Sequence, residues 1–221
     1  MAGADSPVCA VGGSAVRARC CQADEGSLDR YRIGPLMSGS TALNPEGVAM
    51  RLDERLQAFN EKRRALLEEM AALDPATLVA KPLAGKWSIL EIIEHLVVAE
   101  RAVLQGLPEP SRLREHERRF THRFRYVIVM FVLKSGIPVQ VPSPAMVPHG
   151  DRSLGELHRL WDENQDWLRA YIDRLDRRGF RRAVFAHPVA GPLSVEQALH
   201  MGQVHLDTHV RQIRRLQRLL M

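Results

Sequence analysis

Cysteine is almost missing from this 221-residue chain. Its three cysteines are Cys9, Cys20 and Cys21, and no cysteine follows them. A disulfide framework and a cysteine metal site are therefore excluded for everything beyond the first 21 residues. This cysteine usage fits a reducing compartment, and we expect a cytoplasmic protein.

Long hydrophobic runs are also missing. The longest run covers residues 126–133, whereas a helix that spans a bilayer needs about 20 apolar residues. The N-terminal region shows no basic segment before a long apolar core, so a secretion signal is not expected. We therefore predict that no segment spans a membrane.

Residues 1–43 lack helical or strand periodicity and are rich in glycine, alanine and serine. We expect them to form a disordered or poorly ordered tail. Residues 44–221 are long enough for one good-sized domain, and 45% of the whole chain is hydrophobic, which is ordinary for a globular protein.

Positive charge is concentrated in one segment of a chain whose net charge is +5. Residues 112–125 hold six arginines against two acidic residues, Glu115 and Glu117. The simplest interpretation is a solvated helix face, and the alternative is a contact for an anionic ligand, an anionic lipid surface or nucleic acid. Because only Phe120 and Phe124 interleave these arginines, we do not expect nucleic-acid binding.

Four amphipathic segments begin with recognisable helix-start signals. In the first, Asn44 is an N-cap, Pro45 takes the first helical position and Glu46 adds an acid to the first turn. The other three are capping boxes, in which a serine and a residue three positions later satisfy each other's backbone groups. The boxes begin at Ser88, Ser153 and Ser194. The predicted helices cover 45–73, 88–104, 153–178 and 194–220.

Residues 112–135 predict a further helix, basic in its first half, apolar in its second and ended by Gly136. The next residues, 137–148, contain four prolines and are either a plain connector or a pocket wall over the open end of the bundle. Residues 180–192 predict a loop with at most a brief extended piece near Val184 and Phe185. The pattern as a whole predicts an all-α, antiparallel four-helix bundle with an extra basic helix and a proline-rich connector.

The helix predicted over 194–220 carries His205 and His209, which lie one above the other on a helix face. That face is also its apolar stripe, which includes Leu206 and Ile213. A core-facing imidazole needs partners for its ring nitrogens. A metal ion would be one such partner. The alternative is a pair of core or surface histidines whose ring nitrogens are hydrogen-bonded to other groups. His95, which borders the apolar arc of the helix predicted over 88–104, is the candidate third ligand.

Three neutral imidazoles would leave the charge of a divalent ion intact and at least one coordination position open. Such an ion lowers the pKa of a bound water toward about 7, or binds a substrate thiol as the thiolate. Gln212, three residues after His209, and Glu91, one turn before His95, are candidates for orienting a ligand or a water. Leucine follows His205, so the chain lacks the built-in general base of a His-Glu-x-x-His metalloprotease.

Three other histidines are weaker candidates for metal ligands. His200 faces away from His205 on the same predicted helix, His187 lies in an extended loop, and His149 lies near the end of the proline-rich segment. The residues alone assign no catalytic group and no cofactor-binding residue beyond the metal ligands.

Two groups of residues resemble motifs of the DinB-like superfamily, over about residues 46–220. The first is Lys86, Trp87, Ser88 and Ile89, followed by His95; the second is Gly191, Pro192, Leu193 and Ser194, followed by His205, His209, Gln212 and Ile213. The resemblance implies a four-helix bundle in up-down-down-up order, often dimeric, with a divalent metal held by three histidines. By position, those ligands are His95, His205 and His209. It also implies transfer or isomerisation reactions that depend on glutathione, mycothiol or bacillithiol, or else metal-dependent hydrolysis.

Two hypotheses about function follow. In the first, the protein is a metal-dependent transferase or hydrolase that uses zinc, nickel or manganese, a small-molecule substrate and, for transfer, a low-molecular-weight thiol; we expect a homodimer. In the second, it is a non-catalytic stress or interaction scaffold, in which the arginine segment and residues 126–133 contact a partner or a membrane surface.

Overall fold

The computed structural model describes residues 45–117, 119–136, 143–175, 180, 182–183, 185–187 and 189–220. The tail expected over residues 1–43 lies outside the described residues. So do Arg118 of the basic segment, residues 137–142 of the proline-rich connector and the helix stop expected at Arg178 and Gly179. The helix predicted over 153–178 is too long, because it ends at Asp173, where the Arg174 N–H donates to the Tyr171 carbonyl at 3.2 Å in a tighter last turn.

Helices dominate the described part of the chain. They are α1 (Pro45–Ala71), α2 (Pro75–Val79), α3 (Ile89–Gln105), α4 (Phe120–Ser135), α5 (Leu154–Asp173) and α6 (Val195–Leu220). Two short strands, β1 (Phe185–His187) and β2 (Gly191–Leu193), pair antiparallel. No helix among the described residues combines the length and the apolar character that a bilayer span requires.

The capping boxes predicted at Ser88 and Ser194 are confirmed, half of the one predicted at Ser153 is present, and the N-cap predicted at Asn44 lies outside the described residues. Ser88 Oγ accepts a hydrogen bond from the Glu91 backbone N–H at 3.2 Å, and Glu91 Oε2 accepts one from the Ser88 N–H at 2.8 Å. Ser194 and Gln197 make the same reciprocal pair at 3.3 and 3.1 Å. At α5, Ser153 Oγ accepts from the backbone of the residue three positions on, at 3.2 Å. These side chains satisfy backbone donors that the first helical turn leaves unpaired.

The four long helices form a closed bundle in which α1 packs on α6, α6 on α3, α3 on α5, and α5 on α1. Helices α1 and α6 are parallel, because Arg55 lies 3.8 Å from Glu196 near both N-terminal ends, and Glu69 accepts from Gln217 at 3.2 Å near both C-terminal ends. Helices α3 and α5 are also parallel. Asn164 donates to the Val97 carbonyl at 3.0 Å, and further along α5 Tyr171 donates at 2.8 Å to the carbonyl of Pro108, three residues beyond the end of α3.

The core shows that these two parallel pairs run in opposite directions. One apolar cluster joins the first turns of α1 and α6 to the last turns of α5, and it includes Leu52, Leu56, Leu199, Tyr171 and Ile172. The larger cluster joins the later turns of α1 and α6 to the first turns of α3 and α5, and it includes Leu67, Met70, Ile89, Ile92, Leu157, Ile213 and Leu216. The result is the up-down-down-up order, with the apolar stripes of all four helices facing the interior of the bundle, where they form these two clusters.

Arg63, which interrupts the apolar stripe of α1, is only 1% exposed. Its Nη2 donates to Asp162 Oδ1 at 2.6 Å, and its guanidinium carbon lies 5.7 Å from the Trp161 ring centroid. On α3, the Glu100 carboxylate accepts from Trp161 Nε1 at 3.1 Å and from Gln165 Nε2 at 2.7 Å. Burial raises the pKa of Glu100 to about 7. The core therefore contains a polar cluster built from α1, α3 and α5.

The helix predicted over residues 112–135 is too long. Residues 113–117 are irregular, and α4 begins only at Phe120. The backbone N–H of His116 donates to the Ala183 carbonyl at 2.8 Å, a tertiary hydrogen bond that takes the place of a helical one. The other end is as predicted, because Gly136 ends α4 with φ of 68°, a left-handed conformation that favours glycine.

Two short elements were not predicted. The brief extended piece expected near Phe185 is present as β1, but its partner β2 was not expected, and in the hairpin that they form Phe185 pairs with Leu193 and His187 with Gly191. Its second strand, Gly-Pro-Leu, is poor in strand-forming residues, so propensity gave no signal for it. The segment between the helices predicted over 45–73 and 88–104 contains α2, which Asp74 caps by accepting from the Ala76 N–H at 3.0 Å.

Candidate metal centre

His95 enters the site from the middle of α3. Its side chain is 5% exposed, and the ring of Trp87 lies 4.9 Å away between centroids. Its Nδ1 lies 2.7 Å from the backbone carbonyl oxygen of Met146, in the described end of the proline-rich connector. A carbonyl oxygen only accepts, so Nδ1 carries the proton and donates, and the lone pair of His95 lies on Nε2.

His205 and His209 enter from α6, one helical turn apart, and both are half-buried. Their Nε2 atoms lie 3.0 Å apart, and their ring centroids are 4.6 Å apart. His209 Nδ1 lies 3.0 Å from Gln212 Oε1, so this ring also donates through Nδ1 and has its lone pair on Nε2. Gln212 thus lies at the position where the spacing predicted an orienting residue.

The three rings converge. The centroid of His95 is 5.4 Å from that of His205 and 5.0 Å from that of His209, and both pairs meet edge to face. One nitrogen from each ring lies within 4.8 Å of the others. Ligand distances of about 2.0–2.1 Å put two nitrogens of a tetrahedral zinc site roughly 3.4 Å apart. The three nitrogens are therefore close enough to share one ion after small side-chain adjustments.

The protein keeps these rings neutral. Burial, together with the neighbouring His209 and His95, lowers the pKa of His205 to about 3. Burial and His95 lower the pKa of His209 to about 4, against the hydrogen bond to Gln212, which raises it. Burial also lowers the pKa of His95, partly offset by the bond to the Met146 carbonyl. Because a metal binds a neutral ring, an ion entering at neutral pH would not compete with a second proton on any of the three imidazoles.

Glu94, the neighbour of His95 on α3, anchors the connector to the site. Its buried carboxylate accepts from the Gly150 N–H at 2.7 Å and from Arg152 Nη1 at 2.8 Å. These bonds hold the chain just after Met146 against α3, and the connector itself packs on that helix through residues 144–146. A pocket wall is one of the two interpretations that the sequence gives for this connector, but nothing in the sequence points to the carbonyl of Met146. The available signal was Glu94 itself, an acid directly before His95 between apolar residues of the same helix.

Glu91, a candidate for orienting a ligand, makes no hydrogen bond to His95 among the described residues. Its carboxylate closes the capping box with Ser88 and accepts from Lys81 Nζ at 2.8 Å. The acceptor for His95 Nδ1 is therefore the Met146 carbonyl, and the Glu91 carboxylate caps the start of α3 instead. Asp207, between the two histidines of α6, pairs with Lys62 of α1 and is half-exposed.

The weaker histidine candidates lie outside the cluster. Within the described ranges, the group close enough to hold an ion contains only His95, His205 and His209. His187 Nδ1 accepts from the backbone N–H groups at 189 and 190, at 3.2 and 3.0 Å, and so stabilises the turn of the hairpin. His149 is exposed, and His200 lies on α6 outside the group.

The donor set fits a divalent metal. It consists of three neutral imidazoles, two of them with Nδ1–H held by an acceptor, which is the usual arrangement around zinc-binding histidines. His205 and His209 are partly exposed, so one side of the cluster is accessible. Sites with three protein ligands keep a position open for water or substrate, whereas structural sites take four protein ligands.

Comparisons with known proteins identify a family and a relative of this chain. A family model described as the DinB superfamily matches residues 58–213. The uncharacterized protein YuaE of Bacillus subtilis (strain 168) is 26% identical over 164 residues, which are 73% of this chain and 96% of that protein.

Two solved structures are also similar. One is TT2238, described as a four-helix bundle protein, with a TM-score of 0.47 at 22% identity over 74% of this chain and 98% of that one. The other is YfiT from Bacillus subtilis, described as a probable metal-dependent hydrolase with an unusual four-helix bundle topology; its TM-score is 0.46 at 19% identity, over 76% of this chain and 86% of that one. Because the family model covers more than half of the chain, this protein belongs to the DinB superfamily.

Proposed function

We propose that this protein is a divalent-metal-dependent enzyme in which His95, His205 and His209 hold the ion through Nε2. The observation that carries the proposal is the convergence of three neutral imidazoles, whose ligand atoms all lie within 4.8 Å of one another. Random core histidines seldom meet in this way, because each would need its own partner for a buried ring nitrogen.

The reaction we favour is transfer of a low-molecular-weight thiol to an electrophilic small molecule, and hydrolysis is the second candidate. When bound, the ion would supply a positive charge that lowers the pKa of a thiol or a water beside it. The donor set contains no carboxylate, so it leaves that charge unreduced, which suits a thiolate. Zinc, nickel and manganese are the candidate metals.

The chain's own residues would prepare the site before substrate arrives. The Met146 carbonyl and the Gln212 side chain keep protons on Nδ1 of His95 and His209, so that the Nε2 lone pairs remain available. Trp87 and the connector cover His95 and exclude water from that side. No residue of the described site has the geometry of a general base, so we assign no proton-transfer role.

Thiol binding to the cobalt-loaded protein tests the proposal and separates the two reactions. We expect full-length protein reconstituted with Co²⁺ to show an absorption spectrum that changes when glutathione, mycothiol or bacillithiol is added, because sulfur enters the coordination sphere. A cobalt spectrum that none of the three thiols changes would favour hydrolysis. A protein that takes up no cobalt, zinc, nickel or manganese would end the enzyme proposal and leave the interaction scaffold.

The homodimer and the cytoplasmic location remain predictions. Light scattering of the purified chain gives its mass in solution, and fractionation of the source cells gives its location.

A further inference from the structure

Helix α4 presents an apolar stripe to solvent. Phe120, Phe124, Val127 and Phe131 are between 60% and 83% exposed. Their spacing of four, three and four residues puts them on one helix face. Isolated exposed apolar residues are common, but a contiguous stripe of this size, three of whose members are phenylalanines, marks an interaction surface.

The stripe is not needed to attach α4 to the bundle. The opposite face of α4 packs along α6, where Met130 is buried and the Leu133 carbonyl accepts from Thr208 Oγ1 at 2.6 Å. Arg211 donates to the Lys134 carbonyl at 3.1 Å and fixes the last turn. The helix is therefore held by its inner face, and its outer face remains for another partner.

Cations border the stripe on both sides. At about 100° per residue, Arg123 and Lys134 lie along one margin, and Arg125 lies along the other, next to Ile128. All three cations are exposed, and α4 contains no acidic residue. Across the described residues, none of the three forms an ion pair with a carboxylate. Their charge is thus available to a partner.

The hairpin extends this surface. Val189, in the turn between β1 and β2, is exposed and lines a shallow hollow together with Arg125, Ile128 and Val129 of α4. The apolar surface is therefore wider than one helix and continues onto the second element that packs against α4.

We propose that the outer face of α4 binds the surface of a lipid bilayer that contains anionic lipids. The helix lies in the plane of the interface, its phenylalanines enter the boundary between headgroups and acyl chains, and its cations contact the anionic headgroups. An apolar stripe bordered by lysine and arginine is the pattern of helices that bind in this way. The inference is independent of the metal site, and it gives the protein a location at a membrane without a span.

The charges and the apolar stripe of α4 together favour an anionic membrane over two other partners, a second copy of this chain and nucleic acid. A second copy bound through the same face would bring Arg123, Arg125 and Lys134 of both chains together with no carboxylate on either helix, and such like-charge contacts are unfavourable. Nucleic acid would place its phosphates against the cations but would leave the phenylalanine-rich centre of the stripe without an apolar partner.

Co-sedimentation with vesicles tests the proposal on the full-length protein. We expect binding to phosphatidylcholine vesicles that contain phosphatidylglycerol, little binding to phosphatidylcholine alone, and weaker binding as salt rises. Arg123→Gln and Arg125→Gln are each expected to weaken partitioning about fivefold. Phe124→Ser is expected to weaken it about tenfold through lost apolar burial.

Matched controls carry the same changes elsewhere. Arg159→Gln and Arg169→Gln remove exposed cations from α5, which lies diagonally across the bundle from α6, and Leu219→Ser removes an exposed apolar side chain near the end of α6. All three should bind vesicles like the wild type. Since every changed side chain is exposed, circular dichroism and thermal unfolding should show intact folds.

Three results would overturn the proposal. The first is no binding to the anionic vesicles at low salt. The second is binding that falls equally in the α4 variants and in their controls. The third is a dimer in light scattering that Phe124→Ser dissociates, because the stripe would then be an interface between two copies of the chain.

Discussion

Lowering the pH from 7 to 5 is expected to destabilise the metal-free protein through His205 and His209. Both have a pKa in the folded protein, about 3 and about 4, that lies below the ordinary value of 6.5. At pH values between the folded pKa and 6.5, these two histidines are largely protonated in the unfolded chain and neutral in the folded chain. The free energy of unfolding therefore falls as the pH falls through 6.5, and it is recovered above that pH.

The size of the effect follows from linkage. A histidine with an unfolded pKa near 6.5 that stays neutral in the folded state loses about 2 kcal/mol of stabilisation between pH 7 and pH 5. The two residues together account for about 4 kcal/mol, and this figure hardly depends on how far below pH 5 their folded pKa values lie. Glu100 acts in the opposite direction, because its raised pKa makes the folded state bind a proton first.

Urea unfolding in the presence of EDTA, at pH 7 and pH 5, measures the change. The double variant His205→Gln/His209→Gln keeps Glu100 and the other histidines, so the difference between the two proteins isolates the pair. We expect the wild type to lose about 4 kcal/mol more than the variant between the two pH values. Equal losses in the two proteins would refute the conclusion that burial keeps these imidazoles neutral.

Three further changes test separate parts of the structure. Glu94→Ala releases the connector from α3 and should weaken zinc affinity about tenfold, measured by competition with a chromophoric chelator, because the acceptor on His95 Nδ1 is no longer held in place. Gly191 has φ of 80°, and a Cβ added there would lie 3.1 Å from the His122 ring, so Gly191→Ala should lower the free energy of unfolding by about 1–2 kcal/mol in urea titrations. Ser88→Ala breaks the capping box of α3 and should cost about 1 kcal/mol in the same assay.

The helices of the bundle could be predicted because their signals are local. Ser88 and Ser194 cap their helices as their capping boxes indicated, and the apolar stripes that follow face the core. Elements that depend on tertiary contacts could not be predicted in the same way. The hairpin has only three residues in each strand, and residues 113–117 are irregular where a backbone hydrogen bond from His116 reaches Ala183 instead of a helical partner.

The sequence predicted which side chains the candidate site brings together, whereas metal binding by them stays a prediction. The spacing of His205 and His209 and the place of His95 beside an apolar arc were enough to bring the three together as candidates. The acceptor on His95 could not be found, because a backbone carbonyl such as that of Met146 has no residue-type signature. Its placement depends on Glu94, whose partners lie in sequence more than fifty residues away.

The metal content of the full-length protein tests the central claim most directly. After reconstitution with zinc, nickel or manganese and removal of free metal, elemental analysis should give about one ion per chain. His95→Ala should bind almost none while keeping its helical circular dichroism, and His200→Ala, outside the cluster, should bind as the wild type does. A wild-type chain without metal under all three conditions, or a His95→Ala chain with a full complement, would contradict the account.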